Sequence, residues 1–380
     1  MGCGSSSPAN KDLPEFKPLS DEEAVKKLLE VKKTHPNNLA AKHFTQEYYD
    51  SLNDADKAAL VRCVRSGTYN ENSNVGCYAM RPEDYDTLRG FFAPLIAEYH
   101  KVPMGQGQPT DWNAQPMDIG QLGLGASSCR VRVGRNLASF PLPGAMSKEQ
   151  RMEMEQVMSV AYTALAALDM PNGAKFGGRY YSLTPGRPDS INDEEYKKLI
   201  KEHLMFKDMA DDPYLNTAGI SGDWPFGRGT YISEDRRVSI WCNEEDHLRV
   251  TVLCSTKVLN EPFDLLNATL KALESVEGVE FKKSAEFGYV TSCPSNLGTG
   301  MRASVMVRLP KLTADETTDK AAAIAKPFGL SVRGSGGEHT PVVNHTVDIS
   351  PSARFGISEA TILGRLFEGI KAMMEQENSA

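Results

Sequence analysis

The sequence predicts an α+β protein with a small all-α N-terminal domain and a larger domain in which helices flank an antiparallel β-sheet. Two observations support this fold class. Apolar residues recur at helical spacing through residues 20–100, whereas short alternating β-branched segments first occur at residue 127. Several of these segments follow one another through connections too short for a crossover helix, which favours antiparallel pairing.

The first part of the chain is predicted to be helical after a disordered lead. Residues 1–19 are small and polar, with prolines and no periodicity. The first helix is expected to follow Ser20, because S-D-E-E supplies an N-cap and first-turn acids. Further helical patterns cover 45–66 and 82–100. The predicted divisions are the lead 1–19, the helical domain 20–105, a Gly- and Pro-containing linker 106–126 and the larger domain 127–380.

The larger domain is predicted to interleave strands and helices. Alternation predicts strands at 127–135, 238–242, 248–254, 288–293, 303–309, 330–334 and 345–349. Helical spacing predicts helices at about 147–168, 192–208, 261–276, 314–326 and 358–376.

Composition excludes several classes of function. The net charge of −8 and the pI near 5.5 disfavour binding to nucleic acid or bare anionic membrane, so an anionic ligand must meet local arginines. The seven cysteines are far apart without a C-x-x-C pair, as is typical of a reduced intracellular chain. The histidines are dispersed and form no H-E-x-x-H, so a zinc site has little support.

The first residues, M-G-C-G-S-S, match a pattern for acylation. Gly2 fits the myristoylation motif, and Cys3 beside it is suited to a palmitoyl chain. Because one fatty-acyl chain binds a membrane weakly and two anchor a protein stably, Gly2 and Cys3 together predict a cytoplasmic protein that is partly anchored at a ciliary or plasma membrane. The alternative is an unmodified flexible terminus.

Five arginines, which we call the arginine cluster, are placed on or at the ends of predicted strands: Arg130, Arg132, Arg249, Arg302 and Arg333. The first two are two residues apart in an alternating strand, so both project from one face of the sheet. Any single one could be a solvated edge residue or an ion-pair partner. Several converging guanidinium groups, however, suit a polyphosphate, because each supplies bidentate donors to phosphate oxygens.

Two acidic segments lie near these strands. The first is N-E-E-D-H-L-R (243–249), which is either a solvated hairpin tip or a turn whose carboxylates point into a site. The second is R-G-S-G-G-E-H (333–339), which is either a mobile loop or a lid that carries Glu338. Two carboxylates would suit a planar guanidinium. Cys293, which precedes a proline, could be an inert buried residue, a partly accessible thiol held at the site or a nucleophile. The loop that follows it lacks the Walker pattern of a phosphate-binding loop.

These segments together resemble the signatures of the phosphagen (guanidino) kinase family, in its arginine-using branch. C-P-S-N-L-G-T (293–299) is similar to the family's C-P-T-N-L-G-T, with Ser295 in place of Thr. The other similar segments, in the family's order along the chain, are S-C-R-V-R-V-G-R, W-C-N-E-E-D-H-L-R, R-A-S-V and V-R-G-S-G-G-E-H. The resemblance implies the fold described above and reversible phosphoryl transfer between Mg·ATP and a guanidino compound, with Mg·ADP as the other product.

The resemblance also implies roles for individual residues. The arginine cluster, with Ser128 and His203, would bind ATP, and Glu245 and Glu338 would clamp the guanidinium. Cys293 would lie beside them as a thiol or thiolate that positions the substrate without bonding to it. The Mg²⁺ would be held mainly by nucleotide oxygens and by water, with Glu244 and Asp246 ordering some of those waters.

The segment S-N-V-G-C-Y (73–78) resembles the family's specificity loop. The residues expected to contact the amino-acid end of the substrate are Ser73, Val75, Gly76 and Tyr78. Two positions depart from the family: Asn74 stands where Gly is common, and Met306 stands where a His usually packs against adenine.

The function that we expect is phosphorylation of free L-arginine for energy buffering, by a protein that is a monomer rather than a dimer. Alternatives are the same chemistry on taurocyamine or lombricine, a protein-arginine kinase, a cysteine hydrolase acting on guanidines, and a catalytically inactive membrane-tethered scaffold.

Overall fold

The computed structural model describes residues 19–334 and 342–379. Residues 19–100 are largely helical, as the sequence predicts. The helices are α1 (Asp21–Thr34), α2 (Leu39–His43), α3 (Gln46–Ser51), α4 (Asp54–Cys63), α5 (Arg65–Tyr69), α6 (Asp84–Thr87) and α7 (Arg89–His100).

Capping fixes where these helices begin. Ser20 and Glu23 form the expected capping box of α1, in which each side chain accepts a hydrogen bond from the other's backbone N–H. The helical pattern over 45–66 is divided among α3, α4 and the start of α5. Asn53 begins α4, because its side chain accepts from the N–H of Asp56.

The larger domain is built on an eight-stranded sheet in which all neighbouring strands are antiparallel. In chain order its strands are β1 (Ser127–Arg135), β2 (Arg179–Ser182), β3 (Gly229–Ile232), β4 (Val238–Cys242), β5 (Leu248–Thr256), β8 (Met301–Arg308), β9 (Leu330–Gly334) and β10 (Thr346–Pro351). Across the sheet they are ordered β2-β3-β4-β5-β1-β8-β10-β9, and β6 (Lys283–Ser284) pairs separately with β7 (Gly288–Tyr289).

Helices cover one face of the sheet. The helices of this domain are α8 (Lys148–Ala167), α9 (Asp193–Lys201), α10 (Pro213–Thr217), α11 (Asn260–Glu274), α12 (Asp319–Ala325) and α13 (Glu359–Ser379). Helix α11 packs on β1 and β5, and α13 packs on β8 and β10. Alternate residues such as Val131 and Val133 are buried beneath them, so Arg130 and Arg132 project from the opposite, open face. The fold class is therefore confirmed.

Several elements differ from the predictions, and β2, β3, β6 and α10 were not predicted. The strand predicted at 288–293 extends only over β7, because Pro294 and a 3₁₀ turn at Pro294–Asn296 replace extended pairing. Helix α9 ends at Lys201, and α12 begins at Asp319, so both are shorter than expected. Within the described ranges, no helix combines the length and the apolar character needed to span a membrane.

Two hydrogen bonds join the helical domain to the segment before Cys293. The N–H of Ala79 donates to the carbonyl of Ser292 at 2.8 Å, and the hydroxyl of Tyr85 donates to the carbonyl of Thr291 at 2.8 Å. These contacts bring the end of the predicted specificity loop to the centre of the larger domain.

Candidate active site

The arginine cluster converges on the open face of the sheet. Arg132 in β1 lies directly opposite Arg302 in β8, and Gly134, two residues further along β1, lies opposite Arg249 in β5. Arg130 is paired across the sheet with Leu253 on one side and Ser304 on the other.

The arginines are close enough to repel one another. Burial, followed by the positive charges of Arg249, Arg130 and Arg302, lowers the pKa of Arg132 to about 9. Burial likewise lowers the pKa of Arg302 to about 10, with Arg333 as the strongest neighbouring cation. Such a concentration of positive charge would be relieved by a polyanion, so this face is chemically suited to phosphates.

Neighbouring side chains orient two of these guanidinium groups. Arg249 Nη2 lies 2.8 Å from Glu244 Oε2, and its guanidinium lies 5.0 Å from the ring centroid of Trp241. Arg302 Nη2 donates to Ser350 Oγ at 3.1 Å and lies 3.8 Å from Asp348 Oδ2.

The acidic turn after β4 is held from both sides. Asp246 is buried, and its Oδ1 accepts from Asn136 Nδ2 at 2.7 Å and from the N–H of Ser292 at 2.6 Å. Asn136 Oδ1 in turn accepts from the N–H of His247 at 2.8 Å. These bonds fix the turn against the segment before Cys293, so Asp246 serves as a structural hub. Its expected part in ordering Mg²⁺ waters stays a prediction.

Glu245 is the second acid of this turn that lies near Arg249. Its side chain is 19% exposed, and its Oε2 lies 3.8 Å from Arg249 Nη2. Burial, followed by the charges of Asp246 and Glu244, raises the pKa of Glu245 to about 8, while Arg249 and Arg354 oppose the shift. The carboxyl group therefore titrates close to neutral pH, as is common at functional sites.

Cys293 lies beside this carboxyl group. Its Sγ is 3.0 Å from the hydroxyl oxygen of Ser295, and burial followed by the negative charge of Glu245 raises the pKa of Cys293 to about 12. Of the two forms left open by the sequence, the structure favours the thiol over the thiolate.

Arg354 is a site residue that the sequence analysis missed. Its Nη1 donates to the carbonyl of Ser295 at 3.1 Å, and its positive charge lowers the pKa of Glu245 and of Arg132. It therefore joins the carboxylate and thiol to the arginine cluster. Arg354 follows β10 in an irregular P-S-A-R-F segment, and no alternation or motif distinguishes it from a surface arginine.

The segment 73–78 borders the same group of residues. Its carbonyls at Asn74 and Val75 accept from the N–H groups of Leu39 and Ala40, which fix its backbone against α2. Gly76 has φ 72°, and a Cβ there would lie 2.5 Å from Asn38 Oδ1, so this position requires glycine.

Tyr78, at the end of this segment, lies near the reactive side chains. Burial, followed by the proximity of Cys293, Glu245 and Asp212, raises the pKa of Tyr78. The structure thus brings Tyr78 together with the carboxylate and the thiol.

Other predicted residues lie further out or are not described. Ser128 is on the open face opposite Ser255, and His203 is exposed just beyond α9. Met306 is paired with Asp348 across the sheet. Glu338, Gly2 and Cys3 lie outside the described residues, so their roles stay predictions.

An arginine-lined sheet face beside a carboxylate and a thiol is the arrangement expected of a phosphotransferase that handles nucleotide phosphates. Sequence profiles of the ATP:guanido phosphotransferase N-terminal domain and C-terminal catalytic domain match residues 34–97 and 157–380. The chain belongs to the ATP:guanido phosphotransferase family, the phosphagen kinases, which confirms the resemblance in the sequence.

Individual relatives agree with this assignment. The chain is 34% identical to an arginine kinase of Liolophura japonica over 90% of this chain and 95% of that protein. It is also 34% identical to the arginine kinase Oct f 2 of Amphioctopus fangsiao over 94% of this chain and 99% of that protein.

Solved structures with similar folds include two other kinases. The substrate-free duplicated taurocyamine kinase of Schistosoma mansoni matches with a TM-score of 0.80 and 30% identity, over 96% of this chain and 50% of that chain. A lombricine kinase matches with a TM-score of 0.77 and 28% identity, over 90% of this chain and 92% of that chain. The chain thus spans about half of the duplicated enzyme.

Proposed function

We propose that this chain transfers the γ-phosphoryl group of ATP reversibly to a guanidino nitrogen of free L-arginine. The observation that carries the proposal is the meeting of the arginine cluster with Glu245, Cys293 and Tyr78 at one place on the open sheet face. The similarity to several arginine kinases, including two at 34% identity, supports arginine as the guanidino compound.

On the phosphate side, the arginines act by position and charge. In this proposal the arginine cluster binds the phosphate oxygens of ATP, and Ser128 and His203 contact the rest of the nucleotide. Because these guanidinium groups lie on neighbouring strands of one sheet face, they are positioned together to stabilise the charge of the moving phosphoryl group. Arg354 adds a further cation between the two substrates.

On the guanidine side, Glu245 and Glu338 hold the substrate by paired N–H···O bonds. The guanidino nitrogen then attacks the γ-phosphorus in line, a P–N bond forms as the bond to the bridging oxygen of ADP breaks, and the nitrogen's proton passes to a carboxylate. We assign orientation to the carboxylates first and proton acceptance second. Cys293 contacts the guanidinium without forming a bond to it.

Mg²⁺ supplies charge neutralisation for the nucleotide oxygens when it is bound. Glu244 is already paired with Arg249, and Asp246 Oδ1 is bound by Asn136, so these carboxylates fit contacts to metal-bound water better than direct ligation. The part of the chain that the structure describes has no group of three metal-ligating side chains.

The second candidate is the same chemistry on taurocyamine or lombricine. The observation that favours it is the structural similarity to kinases named for these substrates, together with Asn74 in the segment that borders Tyr78. Ser73, Val75, Gly76 and Tyr78 are the residues that we propose contact the amino-acid end.

Partial anchoring of a cytoplasmic, monomeric enzyme remains a further proposal, supported only by the M-G-C-G-S-S pattern. Incorporation of labelled myristate and palmitate into the full chain, compared with Gly2→Ala and Cys3→Ser variants, tests it. Absence of label in the full chain would exclude acylation.

The test of the function is a coupled ADP-release assay with Mg·ATP and arginine, taurocyamine, lombricine, glycocyamine and creatine in turn. The proposal expects the highest kcat/KM with arginine. A higher value with taurocyamine or lombricine would transfer the assignment to that substrate, and ADP release with none of the compounds would refute phosphagen kinase activity.

A further inference from the structure

We propose that Asp212 is a specificity-determining residue whose carboxylate binds the α-ammonium group of the guanidino substrate. The inference rests on the proposed function and extends it, because it selects guanidino amino acids over guanidino compounds without an ammonium group. Asp212 has no assigned part in the arginine, carboxylate or thiol groups described above.

Asp212 stands beside the segment that borders Tyr78. Asn70 connects the two: its carbonyl accepts the N–H of Ser73, and its Nδ2 donates to the carbonyl of Pro213 at 3.2 Å and to Thr217 Oγ1 at 2.8 Å. Pro213 directly follows Asp212 in the chain. The same residue therefore holds the start of the 73–78 segment and the turn that carries this acid.

A second contact fixes the same turn. Ser66 Oγ donates to the carbonyl of Tyr214 at 3.3 Å, so α5 of the helical domain packs along α10 of the larger domain. Because Asp212 is the residue before α10, its position relative to the 73–78 segment is set by hydrogen bonds from both ends of α5.

Tyr78 ends the same segment, and the next residue, Ala79, donates its N–H to the carbonyl of Ser292, which precedes Cys293. The segment is thus held at its start beside the turn that carries Asp212 and at its end beside the thiol. We place the guanidinium of the substrate at Glu245 and its amino-acid end toward Asp212.

The carboxylate of Asp212 has one oxygen left for a ligand. Its Oδ1 caps α10 by accepting the N–H groups of Tyr214 at 2.9 Å and Leu215 at 3.0 Å. Its Oδ2 makes no hydrogen bond or ion pair with the residues that the structure describes. An ammonium group is the complementary ligand, since it is a donor with a positive charge.

The test compares two ligands that differ only in this group, L-arginine and 5-guanidinopentanoate, which lacks the α-amino group. The variant is Asp212→Asn, because asparagine keeps an oxygen for the helix cap while removing the charge. Asp211→Asn is the matched control, since this neighbouring acid is exposed and bears the same charge.

We expect Asp212→Asn to lower kcat/KM for L-arginine by ~10- to 100-fold, the range of one charge-assisted hydrogen bond. The loss should fall on KM, and kcat/KM for 5-guanidinopentanoate should stay within about twofold. Asp211→Asn should change neither value. Equal loss on both substrates would show a structural role, and no loss on arginine would show no recognition; either overturns the inference.

Equilibrium binding by calorimetry separates this inference from the proposed function. If the wild-type chain binds arginine more tightly than 5-guanidinopentanoate and Asp212→Asn removes the difference, the subsite stands even when no guanidine is phosphorylated. If the wild-type chain binds both ligands equally, or binds neither, the subsite is refuted whatever the turnover assay shows.

Discussion

The ionisation of Glu245 should determine how turnover depends on pH. The clamp needs the carboxylate form, and burial together with the charges of Asp246 and Glu244 raises the pKa of Glu245 to about 8. Because the pKa is raised, the active form is present above that pH and is lost as the pH falls through it. Activity toward arginine should therefore rise with pH across the neutral range.

The size of the effect follows from the pKa. Below an apparent pKa of about 8, each unit of pH lowers the ionised fraction by about tenfold, so kcat/KM at pH 7 should be about one tenth of its plateau. The bound guanidinium favours the carboxylate, so the acid limb of kcat should lie at lower pH than that of kcat/KM.

The assay is steady-state kinetics with saturating Mg·ATP and varied arginine, from about pH 6 to about pH 9.5 at constant ionic strength. Glu245→Gln should be slow and should lack the limb. The exposed Glu277→Gln should keep the wild-type profile. Arg354→Met should move the limb to higher pH, because Arg354 lowers the pKa of Glu245.

Two results would refute this reasoning. A wild-type kcat/KM that is flat between about pH 6 and about pH 9 would show that no essential group with this pKa titrates there. An unchanged limb in Glu245→Gln would assign the titration to another residue.

The remaining predictions concern the support of the site. Asn136→Ala should lower the free energy of unfolding in urea by about 3 kcal/mol, because about 1 kcal/mol is lost with each of its three side-chain hydrogen bonds. The control Asn113→Ala, at an exposed position, should stay near wild type. Equal stability of the two variants would contradict the hydrogen-bond network around Asn136. Gly134→Ala should reduce kcat at least ~10-fold, because its Cβ would lie 2.6 Å from Asp246 Oδ2, and unchanged kinetics would show that the turn tolerates displacement. Cys293→Ala should slow turnover strongly but leave measurable activity, and complete loss in a folded variant would favour a covalent role. Alkylation of Cys293 should be slow at neutral pH, since burial and Glu245 raise its pKa to about 12.

The sequence predicts the open sheet face well because strand alternation has a period of two. That period places Arg130 and Arg132 on one face, and β1 and β4 have the predicted bounds. Strand β3 was missed because all its residues are buried, so its sequence G-T-Y-I shows no alternation.

The sequence could not show the roles of Asp246 and Arg354, because these depend on contacts with residues far away in the chain. The acids of the turn are visible in the sequence, but the partners of Asp246 lie 110 residues away at Asn136 and 46 residues away at Ser292. Arg354 was missed for the same reason, because its importance comes from contacts with Ser295 and from its effect on Glu245.

The central claim is that the site moves a phosphoryl group from ATP to a guanidino nitrogen. Phosphorus NMR of the chain with Mg·ATP and L-arginine tests it most directly. The account predicts that the γ-phosphate signal of ATP declines as a signal of N-phosphorylated arginine grows, and that excess Mg·ADP reverses the change. Release of inorganic phosphate alone, or no change in the spectrum, would contradict it.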